Sequence, residues 1–184
     1  MYSKQYSNDW YAVFVVTGAE DKVKERLEYR FGTDIRVLVP KRRLRERKNG
    51  KWHHTIRTLF PGYILLNGSM GVKEYYKLKG VPELLKLLRT GNDFAKIELN
   101  DIEVIGRLIC NNEVIGISDV LVENGRVIVV DGPLISLEGQ IININHRKGR
   151  ARVRLNFLGE SRTVELGISV LQPATMIEEL PVTS

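Results

Sequence analysis

The spacing of apolar positions changes several times along the chain, and each change predicts an element. Trp10 to Val16 (WYAVFVV) is rich in aromatic and β-branched residues and is broken by Thr17-Gly18, which predicts a buried strand. Val23, Leu27 and Phe31 then recur at helical spacing among charges, predicting a helix over Ala19 to Phe31 with Gly32 as its stop. Ile35 to Val39 predicts a second strand, ended by Pro40. The following stretch, KRRLRERKNGKWHHTIR, carries Asn49-Gly50 midway, a pair suited to a tight hairpin turn. Gly62 to Leu66 predicts a third strand, Val72 to Lys79 a short helix, and Leu84 to Leu88 a fourth strand or a turn of helix. Asn100-Asp101-Ile102-Glu103 has the form of a helix cap, with Ile102, Ile105, Leu108 and Ile109 as the apolar face behind it. Together these predict an α+β domain over residues 1–112, an antiparallel sheet with flanking helices.

After Cys110 the pattern becomes one of period two. Residues 113–122 are expected to be a short linker. Val127/Val129, Gln140 to Ile144, Ala151 to Phe157 and Thr163 to Leu166 then predict strands, separated by turns at Asp131-Gly132-Pro133, His146 to Gly149 and Leu158-Gly159-Glu160. Four or five short strands in so short a stretch predict a small closed all-β barrel over 123–176, because closure removes the exposed sheet edges. A tail at 177–184 completes the expected organisation.

Composition narrows the function classes. A chain of 184 residues with 43% hydrophobic and 27% charged residues can bury a real core. The formal charge of +6 favours a polyanionic partner. No apolar run approaches the length of a bilayer span and no signal-peptide core follows Met1, so a cytoplasmic protein without a membrane partner is expected. The single cysteine, Cys110, excludes an internal disulfide and reads as a small buried hydrophobe. His53, His54 and His146 lack companions at zinc-ligand spacing, and no nucleophile, acid–base pair or phosphate loop is legible. Neither cofactor, metal nor enzymatic activity is expected.

The charge is unevenly placed. Residues 1–118 hold 21 Lys/Arg against 14 Asp/Glu, with a concentration at Lys41, Arg42, Arg43, Arg45, Arg47, Lys48 and Lys51 on the hairpin, which can lie along a phosphate backbone or simply be solvated. Residues 119–175 hold 7 against 6, yet five of the seven bases are Arg147, Lys148, Arg150, Arg152 and Arg154. In a strand from Arg150, positions 150, 152 and 154 share one face, a stripe of guanidiniums able to grip RNA or DNA. An ordinary half-solvated strand has the same alternation. No aromatic platform accompanies the stripe, which argues against stacking on single strands.

Trp10-Tyr11, the charged helix after Gly18, and Phe60-Pro61-Gly62-Tyr63 resemble the N-terminal (NGN-type) domain of NusG-family transcription factors. Val127, Val129, Asp131-Gly132-Pro133, Gly139 and Val164-Glu165-Leu166 resemble an SH3-like KOW barrel, so that the likeness spans residues 9–173. The resemblance implies a monomeric elongation factor whose first domain binds bacterial RNA polymerase. Trp10, Phe14, Phe60, Pro61 and Tyr63 match the depression that grips the clamp helices, with Phe60 the residue most expected to be exposed. Lys73 and Tyr76 fall near the gate-loop side. Arg42, Arg43, Arg45, Arg47 and Lys48 would lie by upstream or non-template DNA.

One departure from the housekeeping pattern points further. Housekeeping members dock a ribosomal protein or the Rho terminator through a Phe-Gly-Arg loop, where this chain reads Phe157-Leu158-Gly159-Glu160. A reversed charge at a contact works against that docking. With the basic stripe, this makes the chain similar to the LoaP group of operon-specific antiterminators. That likeness implies that Arg147, Lys148, Arg150, Arg152 and Arg154 bind nascent RNA, a structured leader hairpin, through backbone and shape. A housekeeping factor coupling polymerase to Rho or the ribosome, and a ribosome-associated KOW protein holding rRNA, stand as alternatives.

Overall fold

The computed structural model describes residues 9–109 and 113–171. Cys110 and the tail at 177–184 lie outside the described residues. The chain opens with β1 (Trp10–Val15), α1 (Glu20–Phe31) and β2 (Arg36–Leu38), followed by β3 (Lys41–Lys48) and β4 (Lys51–Thr58). Next come β5 (Tyr63–Asn67), α2 (Val72–Leu78), β6 (Leu84–Leu87), a minimal pair of β7 (Arg89–Thr90) and β8 (Asp93–Phe94), and α3 (Leu99–Leu108).

A four-stranded antiparallel sheet in the order β2-β5-β1-β6 is the centre of the first unit. Its two faces are covered by different things. Tyr11, Val13 and Val15 pack with Val23, Leu27 and Phe31 of α1, whereas Ala12 and Leu65 join a second cluster that includes Ile105 and Leu108 of α3. Because neighbouring strand residues point to opposite faces, two covered faces require the unbroken apolar run seen at Trp10 to Val16. The Asn49-Gly50 turn has φ of 51° and 78°, the left-handed pair a two-residue hairpin requires, and it sets β3 against β4 from Lys41↔Thr58 to Lys48↔Lys51.

The second unit comprises β9 (Val114–Ile115), β10 (Ser118–Glu123), β11 (Arg126–Asp131), a 3₁₀ turn at Glu138–Gln140, β12 (Ile141–Asn145), β13 (Arg150–Phe157) and β14 (Glu160–Val170). The sheet runs β11-β10-β14-β13-β12, antiparallel except for the parallel pair β10 and β14. It curls into a barrel-like core around Ala151, Val153, Leu155 and Phe157 but remains open, since β11 and β12 are edges rather than partners. Gly132, at φ 100°, lies so close to β10 that a Cβ there would stand 2.7 Å from the Ser118 Cα. Only glycine fits that turn.

Two expectations change here. Residues 113–122 are not bare connector: β9 pairs in parallel with Lys41 and Arg42 of β3, and β10 is a core strand with Val120 fully buried. The cap expected at Asn100 is absent, because α3 begins at Leu99 with no side-chain cap bond, and Asp101 is instead buried. No helix among the described residues is long and apolar enough to cross a membrane.

Candidate functional site

The two units are packed together, and the contact falls on the residues that carry the sequence-level site. The Phe60 ring stacks on Phe157 of β13 with centroids 4.0 Å apart and planes 1° from parallel. Tyr63 meets the edge of the same Phe157 ring at 5.4 Å, and Phe14 meets Tyr63 at 5.2 Å. Phe60 is 3% exposed and Phe157 fully buried, so the exposed Phe60 expected from its place before Pro61 is corrected by the barrel that covers it. Arg162 lies over both rings, 5.2 Å from Tyr63 and 5.5 Å from Phe157, with Glu160 3.0 Å from its guanidinium. Aromatic stacking with a guanidinium cap adds about 1 kcal/mol per pair to the area it buries.

The Phe60-Pro61-Gly62 loop is held from beneath by Glu20. That carboxylate, 4% exposed, accepts the Gly18 N–H at 2.8 Å and the Gly62 N–H at 2.7 Å. Gly62, at φ 84°, lies against the Phe14 ring, where a Cβ would come within 3.1 Å. Pro61 is exposed beside this loop, and Trp10 is half-buried at a cleft shared with Leu38, Ile102 and Ile105. Lys73 and Tyr76 stand exposed on α2, Tyr76 at 61%, away from the aromatic cluster.

A polar junction flanks the aromatic one. Arg42 of β3 donates to the Glu165 carbonyl of β14 at 2.7 Å, and Arg150 pairs with the Glu165 carboxylate at 2.5 Å while lying 3.7 Å from Glu46. Glu46 in turn is held by Arg57 at 2.7 Å, and this bond, more than any other influence, keeps its carboxyl below the usual carboxylate range. Burial lowers the Arg42 guanidinium from its ordinary value against the pull of Glu165. Gly167 permits the approach: a Cβ there would stand 2.6 Å from the Arg43 carbonyl. On the other flank the Asp101 carboxylate accepts a backbone bond from Gly159, and burial raises its pKa despite that bond.

The predicted basic residues are therefore divided. Arg43, Arg45, Arg47 and Lys48 stand exposed on the hairpin, with Arg45 4.6 Å from the Trp52 ring centroid, but Arg42 is drawn into the junction. Arg152 and Arg154 are exposed on β13, and Arg147 and Lys148 on the turn before it, whereas Arg150 is withdrawn toward Glu165. The expected three-residue stripe is a two-residue stripe with a basic turn beside it. Sequence reasoning missed the roles of Glu20, Glu46, Arg162 and Glu165, each of which takes at least one partner from far along the chain. Phe157 had a signal: the alternation of β13 ends on it and points it inward.

A family model described as transcription termination factor NusG matches residues 8–106. Curated relatives carry the name transcription termination/antitermination protein NusG. That from Thermus thermophilus is 29% identical over 89% of this chain and 97% of its own length. That from Pseudomonas aeruginosa is 28% identical, with the same coverage of both chains. A solved structure described as domain interaction in Thermotoga maritima NusG matches with a TM-score of 0.56 at 23% identity, covering 86% of this chain and 93% of that one.

Proposed function

Because the chain belongs to the NusG family, whose members are transcription factors rather than enzymes, we propose that it is an operon-specific processive antiterminator. The first unit is the NGN-type domain that binds the polymerase clamp through Phe14, Phe60 and Tyr63, with Trp10 and Pro61 at the margin and Lys73 and Tyr76 toward the gate loop. The second unit is the KOW domain, and it holds a structured leader RNA through Arg147, Lys148, Arg152 and Arg154. Arg43, Arg45, Arg47 and Lys48 follow upstream DNA.

The observation that carries this reading is the stack of Phe60 on Phe157. A face suited to an aromatic or aliphatic anchor is occupied from within by the other domain. The same face cannot hold Phe157 and polymerase together, so polymerase binding requires the domains to part. Parting also releases Arg42 from Glu165, adding it to the basic hairpin, while Arg150 loses Glu46 and keeps Glu165. The altered loop Phe157-Leu158-Gly159-Glu160, folded against α3 and Tyr63, supports the specialised reading over Rho or ribosome coupling.

Transcription in vitro with bacterial RNA polymerase on a template bearing an intrinsic terminator tests it. More readthrough is expected only when the candidate leader RNA is encoded upstream. Unchanged readthrough with and without the leader, from active polymerase and folded protein, overturns the antiterminator reading.

A further inference from the structure

A groove of about 670 Å³ runs between α2 and β6, apart from the domain junction. β6 pairs with β1 on one side, and among the described residues no strand pairs with its other side. Leu78, Leu84 and Leu87 line the groove, and Leu85 stands 55% exposed at its edge. Among the described residues its charged lining is Lys79, Lys86 and Arg89, with no carboxylate. The nearby Glu83 is already engaged by Arg26 and Lys22.

A strand edge beside leucines and three cations suits two kinds of polyanion, and the aromatic rings choose between them. Bases of a single-stranded nucleic acid need open ring faces for stacking. Here Arg89 lies over Tyr75 at 4.8 Å and Phe94 at 5.2 Å, while Lys79 lies over Tyr75 at 5.4 Å and Tyr76 at 4.9 Å. The rings already carry cations. A peptide needs instead an unpaired edge for its backbone, with apolar contacts and cations beside that edge for its side chains.

We propose that the β6 edge accepts an extended acidic segment of a partner protein as an added strand. Side chains of that segment on the α2 face rest on Leu78 and Leu84, with carboxylates toward Lys79 and Arg89, and a carboxylate on the opposite face meets Lys86, whose cross-strand partner is Phe14. Such an unpaired edge, protected by cations from pairing with its own kind, is otherwise a liability.

The test uses the isotope-labelled full chain titrated with a nine-residue peptide alternating glutamate and valine, followed by amide shifts and hydrogen exchange. Shifts and slowed exchange confined to residues 84–89 and α2 are expected. Lys86→Glu with Arg89→Glu, both solvent-facing, should weaken binding at least about tenfold, since like charges replace the attraction. Leu85→Pro, at the register shift of β6, should abolish it by distorting the edge, and the paired charge reversal stands in if that variant does not fold. A peptide alternating lysine and valine should leave these amides unmoved. The proposal is overturned if the acidic peptide perturbs only the basic hairpin β3–β4, if oligouridylate perturbs residues 84–89 as strongly, or if the charge reversal leaves affinity intact.

Discussion

Glu20 is buried on a helix whose neighbours Asp21 and Lys22 are exposed, because the amides of Gly18 and Gly62 both end on its carboxylate. Removing it strands two N–H groups beneath the Phe60 loop, and each orphaned buried donor costs about 1–3 kcal/mol. Glu20→Ala is therefore expected to lower the urea midpoint by an amount corresponding to about 2–4 kcal/mol, against nearly nothing for the exposed Glu25→Ala. Equal losses for the two would remove Glu20 from its supporting role. Asp101 makes a second prediction at this scale. Burial favours its neutral form in the folded protein, so its contribution is most favourable below the unfolded aspartate pKa of about 3.9 and is lost as pH rises through its raised folded value. Asp101→Asn still offers an oxygen to Gly159 without the buried charge. It should raise Tm at pH 7, with a gain that shrinks as pH falls and disappears in acid; a gain that grows in acid would reverse the assigned cause.

The hairpin β3–β4 and the β12–β13 turn with its strand carry the nucleic-acid claims, and their chemistry separates by salt dependence. If Arg147, Arg152 and Arg154 each neutralise one RNA phosphate, changing all three to Ala should reduce the magnitude of the log–log salt slope by about 2–3. Arg45→Ala with Arg47→Ala should leave that slope alone and weaken binding to duplex DNA. Exchange of these two effects would exchange the assignments. Much of this level was legible in the chain: β1, α1, the Asn49-Gly50 hairpin and the alternation of β13 follow from period and turn chemistry. What was not legible depends on the other half of the molecule. β9 is two residues long and exists as a strand only because β3 lies beside it, and Arg150 leaves its stripe because Glu165 and Glu46 attract it. Periodicity reports which face a residue occupies; it does not report what covers that face.

At the scale of the whole molecule the proposed function sets the closed form, with Phe157 stacked on Phe60, against an open form that would take polymerase. A binding-competent population of about 10% weakens apparent affinity about tenfold, so anything that loosens the junction should strengthen polymerase binding until the open form dominates. Glu46→Lys sets a cation against Arg150 and Arg57 without touching either hydrophobic core. Phe157→Ala removes the ring itself, at the risk of loosening the barrel around it. Both variants should increase retention on RNA polymerase, Glu46→Lys with unchanged circular dichroism. On the proposed reading Phe60→Ala should do the opposite despite also weakening the junction, because its ring would serve polymerase once the domains part. The double variant Glu46→Lys with Phe60→Ala discriminates. If Phe60 contacts polymerase, opening the junction cannot rescue its loss, and the double variant binds as weakly as Phe60→Ala alone. If Phe60 serves only the junction, the double variant binds as well as Glu46→Lys, and the clamp must be gripped elsewhere on this domain.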